Sequence, residues 1–371
     1  MRILYVLTSL GMGGAEKLTL ALAESMQKRG HTAALLVLRP RLVEEWPTGL
    51  EPVHLNMRRS GLSFLLGLRL ARQFATKFQP DLIHSHSFHA NFFARMLKIF
   101  VPRPAVISTV HNVYEGDVLR MMAYRLTDSL SRQTVAVSDA AAERFIALKA
   151  VPARKCRVLV NGINTGEFAP DANVRAPMRA KMGIAPEPGG EFIWLASGRI
   201  SPAKDYPNLL RAFARVRANR PDARLWIAGD IAGPLFPDLE GLTTKLNLNG
   251  SVRWLGLRRD MPAILDAADA FVSASAWEGM PLAVGEAMAM EKPVVATDVG
   301  GVRQLVGDAG IVVPAHDPDA LAEAMLNMMG QGREERRALG RAARRRIEDQ
   351  FSIDAAADRW EALYQACSGT Q

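Results

Sequence analysis

Two glutamates eight positions apart are the residues whose spacing says most about chemistry in this chain. Glu278 and Glu286 bracket the segment Glu278-Gly-Met-Pro-Leu-Ala-Val-Gly-Glu286. Pro281 suits the first turn of a helix, which predicts that Glu278 lies on the preceding loop and Glu286 about one turn into the helix. The N–H groups at the start of a helix lack intrahelical acceptors and attract phosphate. This arrangement predicts a ligand with a phosphate between two hydroxyl-bearing groups, and a nucleotide sugar has that form.

A second segment predicts where phosphate groups would be neutralised. The apolar run from Phe192 to Ala196 has the pattern of a strand, and it leads into a turn at Gly198 followed by Arg199 and Lys204. Arg offers a planar fork to phosphate oxygens and Lys a mobile point charge, which together suit a departing nucleoside diphosphate. Each motif alone is also compatible with ordinary surface residues, and their agreement favours a donor site.

A glycine-rich turn follows the first predicted strand. Gly13 and Gly14 lie between that strand and a predicted helix, where a backbone without side chains can approach a phosphate or a sugar closely. A dinucleotide-binding domain begins in the same way and is an alternative. The spacing argues against it, because the third glycine is missing at the usual offset and the second strand does not end in an acid.

Histidines cluster where strands are predicted to end. His111 directly follows the apolar strand that ends at Val110, so we expect its side chain to face a ligand cleft. His84 and His86 are expected to point to opposite faces of the sheet, and therefore to pack or form hydrogen bonds without sharing a metal.

Composition excludes several classes of protein. The chain has 371 residues, of which 49% are hydrophobic and 23% charged, enough for two globular domains. Cys156 and Cys367 have neither a pairing partner nearby nor metal-ligand spacing with histidine, which favours a reducing cytoplasm and predicts no metal site. The first residues have the pattern of a strand, not of a signal peptide. No run of about 18 apolar residues predicts a membrane-spanning helix.

Positive charge is concentrated in the first half of the chain. Residues 1–160 hold 22 Lys and Arg against 11 Asp and Glu, although the whole chain has a net charge of +8. Nucleic acid is not predicted as a partner, because no stacking aromatics or binding motif accompany the charge. Residues 58–72, 91–98 and 120–125 mix cations with bulky apolar side chains, which predicts peripheral contact with an anionic membrane surface. The alternative is that these apolar residues face the domain core.

Apolar runs alternate with helical stretches along the chain, which predicts parallel sheets covered on both faces. Residues 166–190 are rich in Pro, Gly and Ala, and we interpret them as the interdomain linker and the first helix of a second domain. Two doubly wound α/β domains would bind a ligand at the carboxyl ends of their strands, in the cleft between them. The predicted strands span residues 3–7, 32–38, 82–84, 105–110, 134–137, 158–160, 192–196, 224–228, 252–255, 270–273, 294–296 and 311–313.

The combination of motifs resembles the retaining glycosyltransferases of family four, which have the two-domain GT-B fold. The resemblance runs from Met1 to about Trp360. It implies an N-terminal acceptor-side domain over residues 1–168, a donor-binding domain over 169–351 and a last helix over 352–368 that packs back on the first domain. The motifs are Gly13-Gly14-Ala15-Glu16, Val137-Ser138, Asn161-Gly162-Ile163, Gly198-Arg199 with Lys204, Ala228-Gly229-Asp230, Leu255-Gly256, Glu278 to Glu286 and Thr297 to Gly301.

The resemblance also implies roles for individual residues. Arg199 and Lys204 would hold the donor diphosphate and Glu286 the ribose hydroxyls, while Glu278 would hold the transferred sugar beside His111. The family is typically metal-independent and needs no cofactor besides its nucleotide-sugar donor. The implied catalytic residues are Glu278, His111, Arg199 and Lys204, and the implied donor-binding residues are Gly13, Gly14, Gly198, Arg199, Lys204, Arg253, Leu255, Gly279, Met280, Pro281, Leu282 and Glu286.

Three positions depart from the family pattern. Asn164 stands where Asp is usual, Ile231 where Gly is usual and Gln304 where Glu is common. None belongs to the diphosphate segment, so they leave the identity of the donor open between a UDP-sugar, which we favour, and GDP-mannose. The expected acceptor is a glycan or a lipid-linked glycan, as in the assembly of surface polysaccharide or lipopolysaccharide. A nucleotide-sugar epimerase, an NAD-dependent oxidoreductase and a non-catalytic binding module are the alternatives.

Overall fold

The computed structural model describes residues 1–11, 13–40, 49–184 and 190–369. The chain divides into two compact units: unit one comprises residues 1–162 and 353–371, and unit two comprises residues 163–352. The division thus falls between Gly162 and Ile163, whereas the sequence prediction placed it after residue 168. Ile163 is held in unit two because its N–H donates to the carbonyl of Phe351 at 2.7 Å.

Unit one is built on a seven-stranded parallel sheet with strand order β3-β2-β1-β4-β5-β6-β7. Its strands are β1 (Arg2–Leu7), β2 (Thr32–Val37), β3 (Pro52–His54), β4 (Leu82–His86), β5 (Ala105–Val110), β6 (Gln133–Ala136) and β7 (Cys156–Val158). Its helices are α1 (Gly14–Lys28), α2 (Gly61–Phe78), α3 (Phe88–Phe100), α4 (Val118–Leu126), α5 (Asp139–Ala147) and the terminal helix, which is numbered α14 (Ile353–Ser368).

Unit two is built on a six-stranded parallel sheet with strand order β10-β9-β8-β11-β12-β13. Its strands are β8 (Phe192–Ser197), β9 (Ala223–Ala228), β10 (Val252–Gly256), β11 (Ala270–Ser273), β12 (Val294–Thr297) and β13 (Ile311–Val313). Its helices are α6 (Ala172–Lys181), α7 (Tyr206–Asn219), α8 (Phe236–Lys245), α9 (Met261–Ala267), α10 (Leu282–Ala289), α11 (Val302–Val306), α12 (Pro318–Gly330) and α13 (Arg333–Arg346).

The predicted fold class is confirmed, since both sheets are parallel. Eleven of the twelve predicted strands overlap observed strands closely, whereas the strand predicted over residues 158–160 lies earlier, at Cys156–Val158. One short strand, Pro52–His54, was not predicted. It lies at the edge of the first sheet, all three of its residues are half-buried, and it begins with a proline. Its pattern therefore shows neither the alternation of a half-buried strand nor the apolar run of a buried one.

The terminal helix α14 belongs to unit one, as the sequence prediction favoured. Trp360, Leu363 and Tyr364 are buried and join the apolar cluster that includes Tyr5 of β1. The Tyr5 and Tyr364 hydroxyls lie 3.4 Å apart, and α14 also packs against α1. The chain thus returns to unit one after it has completed unit two.

The three segments predicted as interfacial helices differ in where their apolar residues lie. In α3, Phe93 and Leu97 are fully buried, as predicted by the alternative interpretation that these apolar residues face the domain core. In α2 and α4 some apolar side chains instead reach solvent: Leu62 and Leu119 are 70% and 72% exposed, whereas Leu68 and Met121 on the same helices are buried. No helix among residues 1–11, 13–40, 49–184 and 190–369 is long and apolar enough to cross a bilayer.

Each sheet has one point at which the strand order reverses, between β1 and β4 in unit one and between β8 and β11 in unit two. In open α/β sheets, the loops that leave the carboxyl ends of the two strands at this point diverge and form a binding crevice. The predicted functional residues are therefore expected near the carboxyl ends of β1 and β4 and of β8 and β11.

Candidate functional site

An ion pair joins the two loops at the reversal point of the second sheet. Lys204 follows β8, and Glu278 follows β11. The Lys204 Nζ donates to the Glu278 Oε1 at 2.6 Å, and the Ser275 hydroxyl donates to the same oxygen at 2.9 Å. Both charged side chains are largely buried, with 19% and 13% exposed. The structure therefore brings together two side chains that the sequence placed in separate motifs.

Backbone and side-chain hydrogen bonds fix the loop that carries Glu278 from both sides. The N–H of Ala276 donates to the carbonyl of Ala203 at 2.8 Å, in the short 3₁₀ turn that ends at Lys204. On the other side, the Thr297 hydroxyl at the end of β12 donates to the Ser275 carbonyl at 2.7 Å. The loops after β8, β11 and β12 are thus held as one assembly.

Two glycines permit the close approach of these loops. Gly198 has a φ of +153°, and a Cβ at this position would lie 2.6 Å from the Lys204 Cε. Gly300, with a φ of +55°, follows β12, and a Cβ there would collide with the carbonyls of Glu278 and Gly279. Gly198 therefore requires glycine for its conformation, and Gly300 for both conformation and space, because the atoms that its Cβ would meet belong to the backbone. The sequence prediction gave Gly300 no role, although its Gly-Gly pair after a strand was a visible signal.

Helix α10 begins as the sequence predicted, with one small difference. Its first residue is Leu282, and Pro281 is the N-cap instead of a member of the first turn. Gly279 and Met280 are buried on the loop before it. Glu286 is the fifth helical residue and is half-buried. The N–H groups that open this helix follow directly after the loop of Glu278.

Other predicted donor-site residues of unit two differ in their surroundings. Arg199 is exposed and forms no hydrogen bond or ion pair with any residue that the structure describes. Leu255 is half-buried near the end of β10. Arg253 lies nearer the amino end of β10, and its guanidinium donates to the Met182 carbonyl at 2.7 Å. The structure therefore shows no contact between Arg253 and the Lys204–Glu278 pair.

Unit one places His111 beside a second histidine. The Nδ1 of His86, the last residue of β4, lies 2.9 Å from the Nε2 of His111, which follows β5. Burial lowers the pKa of His111 to about 4. The imidazole is therefore neutral near pH 7, and it can donate or accept one hydrogen bond but adds no positive charge.

The expectation that His84 and His86 point to opposite faces was wrong. Their ring centroids lie only 4.1 Å apart. Side chains alternate along a strand with a period of two, so positions i and i+2 share a face. The His84 imidazole contacts the Tyr364 hydroxyl at 2.6 Å and the Thr109 hydroxyl at 2.7 Å, so it forms hydrogen bonds as predicted.

Sequence reasoning missed Glu115, which anchors the loop after His111. One carboxylate oxygen accepts from the N–H of His111 at 2.9 Å, and the other accepts from the Tyr124 hydroxyl at 2.7 Å. The Arg120 guanidinium donates to the carbonyl of Glu115 at 3.0 Å. Burial raises the pKa of the Glu115 carboxyl to about 7. An acid four residues after a strand-end histidine has no distinctive pattern, so no signal in the sequence marked it.

The glycine-rich turn lies at the reversal point of the first sheet, directly after β1. Gly13 is the N-cap of α1 and Gly14 is its first residue. Met12 lies outside the described residues. Within the described ranges, no group of three or more His, Cys, Asp or Glu side chains could hold a metal ion, and both cysteines are free.

Comparison with known proteins identifies the family. The family model for glycosyl transferases group 1 matches residues 178–346, and the model for glycosyltransferase family 4 matches residues 12–167. Together the two models span most of the chain. The chain belongs to the family 4, group 1 glycosyltransferases.

Individual relatives agree with this family 4 assignment. A galactosyltransferase of Escherichia coli, UDP-Gal:alpha-D-GlcNAc-diphosphoundecaprenol alpha-1,3-galactosyltransferase, is 27% identical over 296 residues, which are 76% of this chain and 75% of the relative. The lipopolysaccharide core biosynthesis mannosyltransferase LpsB of Rhizobium meliloti is 28% identical over 56% of this chain and 60% of its own length.

Solved structures show the GT-B fold for this family 4 chain. A glycosyltransferase from Rickettsia africae superimposes with a TM-score of 0.86 at 22% identity, over 100% of this chain and 99% of that one. Anabaena Alr3699/HepE, in complex with UDP and glucose, gives a TM-score of 0.86 at 21% identity, over 99% of this chain and all of the other. These structures confirm the predicted fold, and the two family models identify the protein as a glycosyltransferase.

Proposed function

We propose that this glycosyltransferase moves a sugar from a UDP-sugar to a lipid-linked glycan with retention of anomeric configuration. The ion pair between Lys204 and Glu278 carries the proposal. It sets a cation and a carboxylate side by side at the reversal point of the donor-side sheet, where one can contact phosphate and the other the hydroxyls of a sugar. Support for UDP comes from the Escherichia coli relative, whose name specifies UDP-Gal, and from the Anabaena protein bound to UDP and glucose.

In this proposal, two cations act on the departing diphosphate. Arg199 is exposed and has no partner among the described residues, so its fork is available to phosphate oxygens. Lys204 is held in position by Glu278 and needs little reorganisation to stabilise charge as the glycosidic bond breaks. The N–H groups at the start of α10 add further donors, and Glu286 would hold the ribose hydroxyls. We propose that these groups act without a metal ion.

In the same proposal, His111 is a neutral group that would form a hydrogen bond with a hydroxyl. A pKa of about 4 means that it is not a cation at neutral pH, so it would orient a hydroxyl instead of neutralising phosphate. The new bond would form on the face that the leaving group vacates. No side chain is assigned as a covalent nucleophile.

Calorimetry with UDP and GDP, without added metal, tests the donor site. We expect binding of UDP in the micromolar range and weaker binding of GDP. Arg199→Ala should lower turnover on the order of a hundredfold, because one donor to the developing charge is lost. Arg211→Ala is the matched control, since Arg211 is also exposed, on α7. Binding of neither nucleotide, or unchanged turnover in folded Arg199→Ala, would refute the proposal.

We further propose that unit one contacts an anionic membrane surface, where a lipid-linked acceptor would lie. The exposed apolar side chains on α2 include Leu62 and Leu65, at 70% and 63% exposed, and Arg69 and Arg72 on the same helix are also exposed. Bulky apolar groups beside cations favour the interface of an anionic bilayer.

Flotation with vesicles that contain phosphatidylglycerol tests this contact. The unaltered protein should float with the vesicles, and a variant with Leu62→Asp and Leu65→Asp should not. Both side chains are exposed, so the variant should fold. Leu257→Asp in unit two, where the side chain is 59% exposed, is the control and should float normally. Equal flotation of all three proteins would exclude α2 as the contact surface.

A further inference from the structure

A basic pocket lies in unit one at the edge of the sheet opposite His111. We call it the amino-edge pocket, because the sheet residues that line it are at the amino ends of strands: Ala105 begins β5, and Gln133 begins β6. His111 instead follows the carboxyl end of β5, and a six-residue strand spans roughly 20 Å. The pocket has a volume of about 810 Å³ and is separate from the residues assigned to sugar transfer.

The lining of the amino-edge pocket is strongly positive. The cationic residues among its lining are Lys98, Arg103, Arg132, Arg154, Lys155 and Arg157. Asp81 is the one acidic residue among the lining residues, all of which the structure describes, and one of its carboxylate oxygens accepts from the backbone N–H of Arg2 at 2.8 Å. Like charges gathered in one concavity repel each other and raise the local concentration of anions.

Two of these cations have structural partners that account for their positions. Lys98, in the last turn of α3, donates to the carbonyls of Pro102 and Pro104. Lys155 donates to the carbonyls of Asp128 and Ser131 and forms an ion pair with the Asp128 carboxylate at 3.0 Å. These contacts explain the two lysines without any ligand.

The arginines at the rim are different. Arg103, Arg154 and Arg157 are exposed, and none of them forms a hydrogen bond or ion pair with another residue that the structure describes. Burial raises the pKa of Cys367, which also lines the pocket, and the charges of Arg132 and then Arg157 partly offset this rise. Three guanidinium groups around one pocket therefore have no protein partner that explains their clustering.

We propose that the amino-edge pocket binds a ligand that carries phosphate groups. Guanidinium forks match phosphate oxygens in pairs, and several arginines around one concavity can contact more than one phosphate group. A soluble phosphate compound and the headgroup of a phospholipid share this chemistry. The proposal does not depend on the assignment of the donor site, because its residues lie in unit one and the donor-side residues lie in unit two.

Titration with inorganic pyrophosphate tests the pocket. The background is the full chain with Arg199→Ala, which weakens any binding of pyrophosphate at the donor site. In that background, the triple change Arg103→Gln, Arg154→Gln and Arg157→Gln should weaken binding about tenfold or more. The matched control changes three exposed arginines of unit two, Arg211, Arg341 and Arg345, to Gln, which alters the net charge equally and should leave binding intact.

A second arm distinguishes the sources of phosphate. Vesicles of phosphatidylcholine, with and without phosphatidylglycerol, are mixed with the same variants. If the triple variant loses pyrophosphate binding, the ligand class includes soluble phosphates; if it loses only binding to phosphatidylglycerol vesicles, the ligand is a lipid headgroup. If pocket and control variants behave alike with both probes, the proposal is overturned. UDP binding in the triple variant with Arg199 intact reports the donor site separately and should be unchanged.

Discussion

At the scale of single residues, burial decides what the charged and titratable groups near His111 can do. The imidazole is neutral because burial lowers its pKa to about 4, and Glu115 is close to half-protonated at neutral pH because burial raises its pKa to about 7. Glu115 nevertheless accepts two hydrogen bonds that hold the loop after β5. Its carboxyl is therefore a pH-sensitive anchor for the segment that begins at His111.

Glu115→Gln should remove part of the dependence of stability on pH. The folded-state pKa of Glu115 lies above the ordinary 4.5, so its contribution to stability is fully present below pH 4.5 and is lost as the pH rises through about 7. Between pH 5 and pH 8, the free energy of unfolding of the unaltered protein should fall by on the order of 2 kcal/mol relative to the variant. Urea denaturation at both pH values measures this difference.

The control for that comparison is Glu143→Gln, which changes an exposed glutamate of α5 in the same unit. It should leave the pH dependence of stability as it is in the unaltered protein. If Glu115→Gln and Glu143→Gln shift the stability equally at both pH values, Glu115 does not titrate in this range.

At the scale of elements, the donor-side loops depend on one another through close backbone contacts. The loop after β12 touches the loop after β11, because the N–H of Gly301 donates to the Gly279 carbonyl at 2.7 Å and the Gly300 Cα lies against the Glu278 backbone. A change in the loop after β12 should therefore alter the position of Glu278 and, through the ion pair, the position of Lys204. We infer that Gly300 positions Glu278 without contacting the substrate itself.

Gly300→Ala should lower turnover by about tenfold or more. The added methyl group would collide with the Glu278 carbonyl, and a φ of +55° is unfavourable for alanine by about 1 kcal/mol or more. Gly250→Ala is the matched control, because Gly250 also has a positive φ, +79°, but no atom within 4 Å of its added methyl group. Thermal unfolding and turnover are measured for both.

We expect both glycine variants to lose stability from backbone strain, Gly300→Ala more than Gly250→Ala because its methyl group also collides with the Glu278 carbonyl, and only Gly300→Ala to lose activity. Equal turnover in the two variants would mean that the loop after β12 does not position Glu278.

At the scale of the whole molecule, the chain is not arranged as two consecutive domains. It completes unit one's sheet, builds unit two, and then returns to unit one with α14. This return places Trp360 and Tyr364 in the first core, and the Tyr364 hydroxyl contacts His84, whose ring lies against His86. The last residues of the chain therefore support the strand end that carries the histidines.

Trp360→Ala should destabilise unit one by about 3–5 kcal/mol, since the indole is 3% exposed and its removal leaves a cavity. Hydrogen exchange measured by mass spectrometry locates the effect. Amides of α1 and β1 should exchange faster, and those of unit two's strands should not change. Leu148→Ala, at a side chain 48% exposed, is the control. Faster exchange confined to unit two would contradict the placement of α14.

Features that depend on neighbouring residues could be predicted from the amino-acid sequence. The strands are runs of apolar residues between polar turns, and the order of Gly198, Arg199 and Lys204 after a strand is a local pattern, so both could be read directly. The same holds for Glu278 on a loop and Glu286 in the following helix. The fold class followed from the alternation of strands and helices, since parallel strands need crossover connections.

Which of these residues meet depends on how distant segments of the chain pack together. Lys204 and Glu278 are 74 positions apart, and their contact depends on β8 and β11 being neighbours at the reversal of strand order. The pairing of His86 with His111 requires β4 beside β5. Strand order and the burial of Glu115 arise from packing between distant segments. Local sequence patterns therefore do not predict strand order or the burial of Glu115, because both follow from contacts within the folded chain.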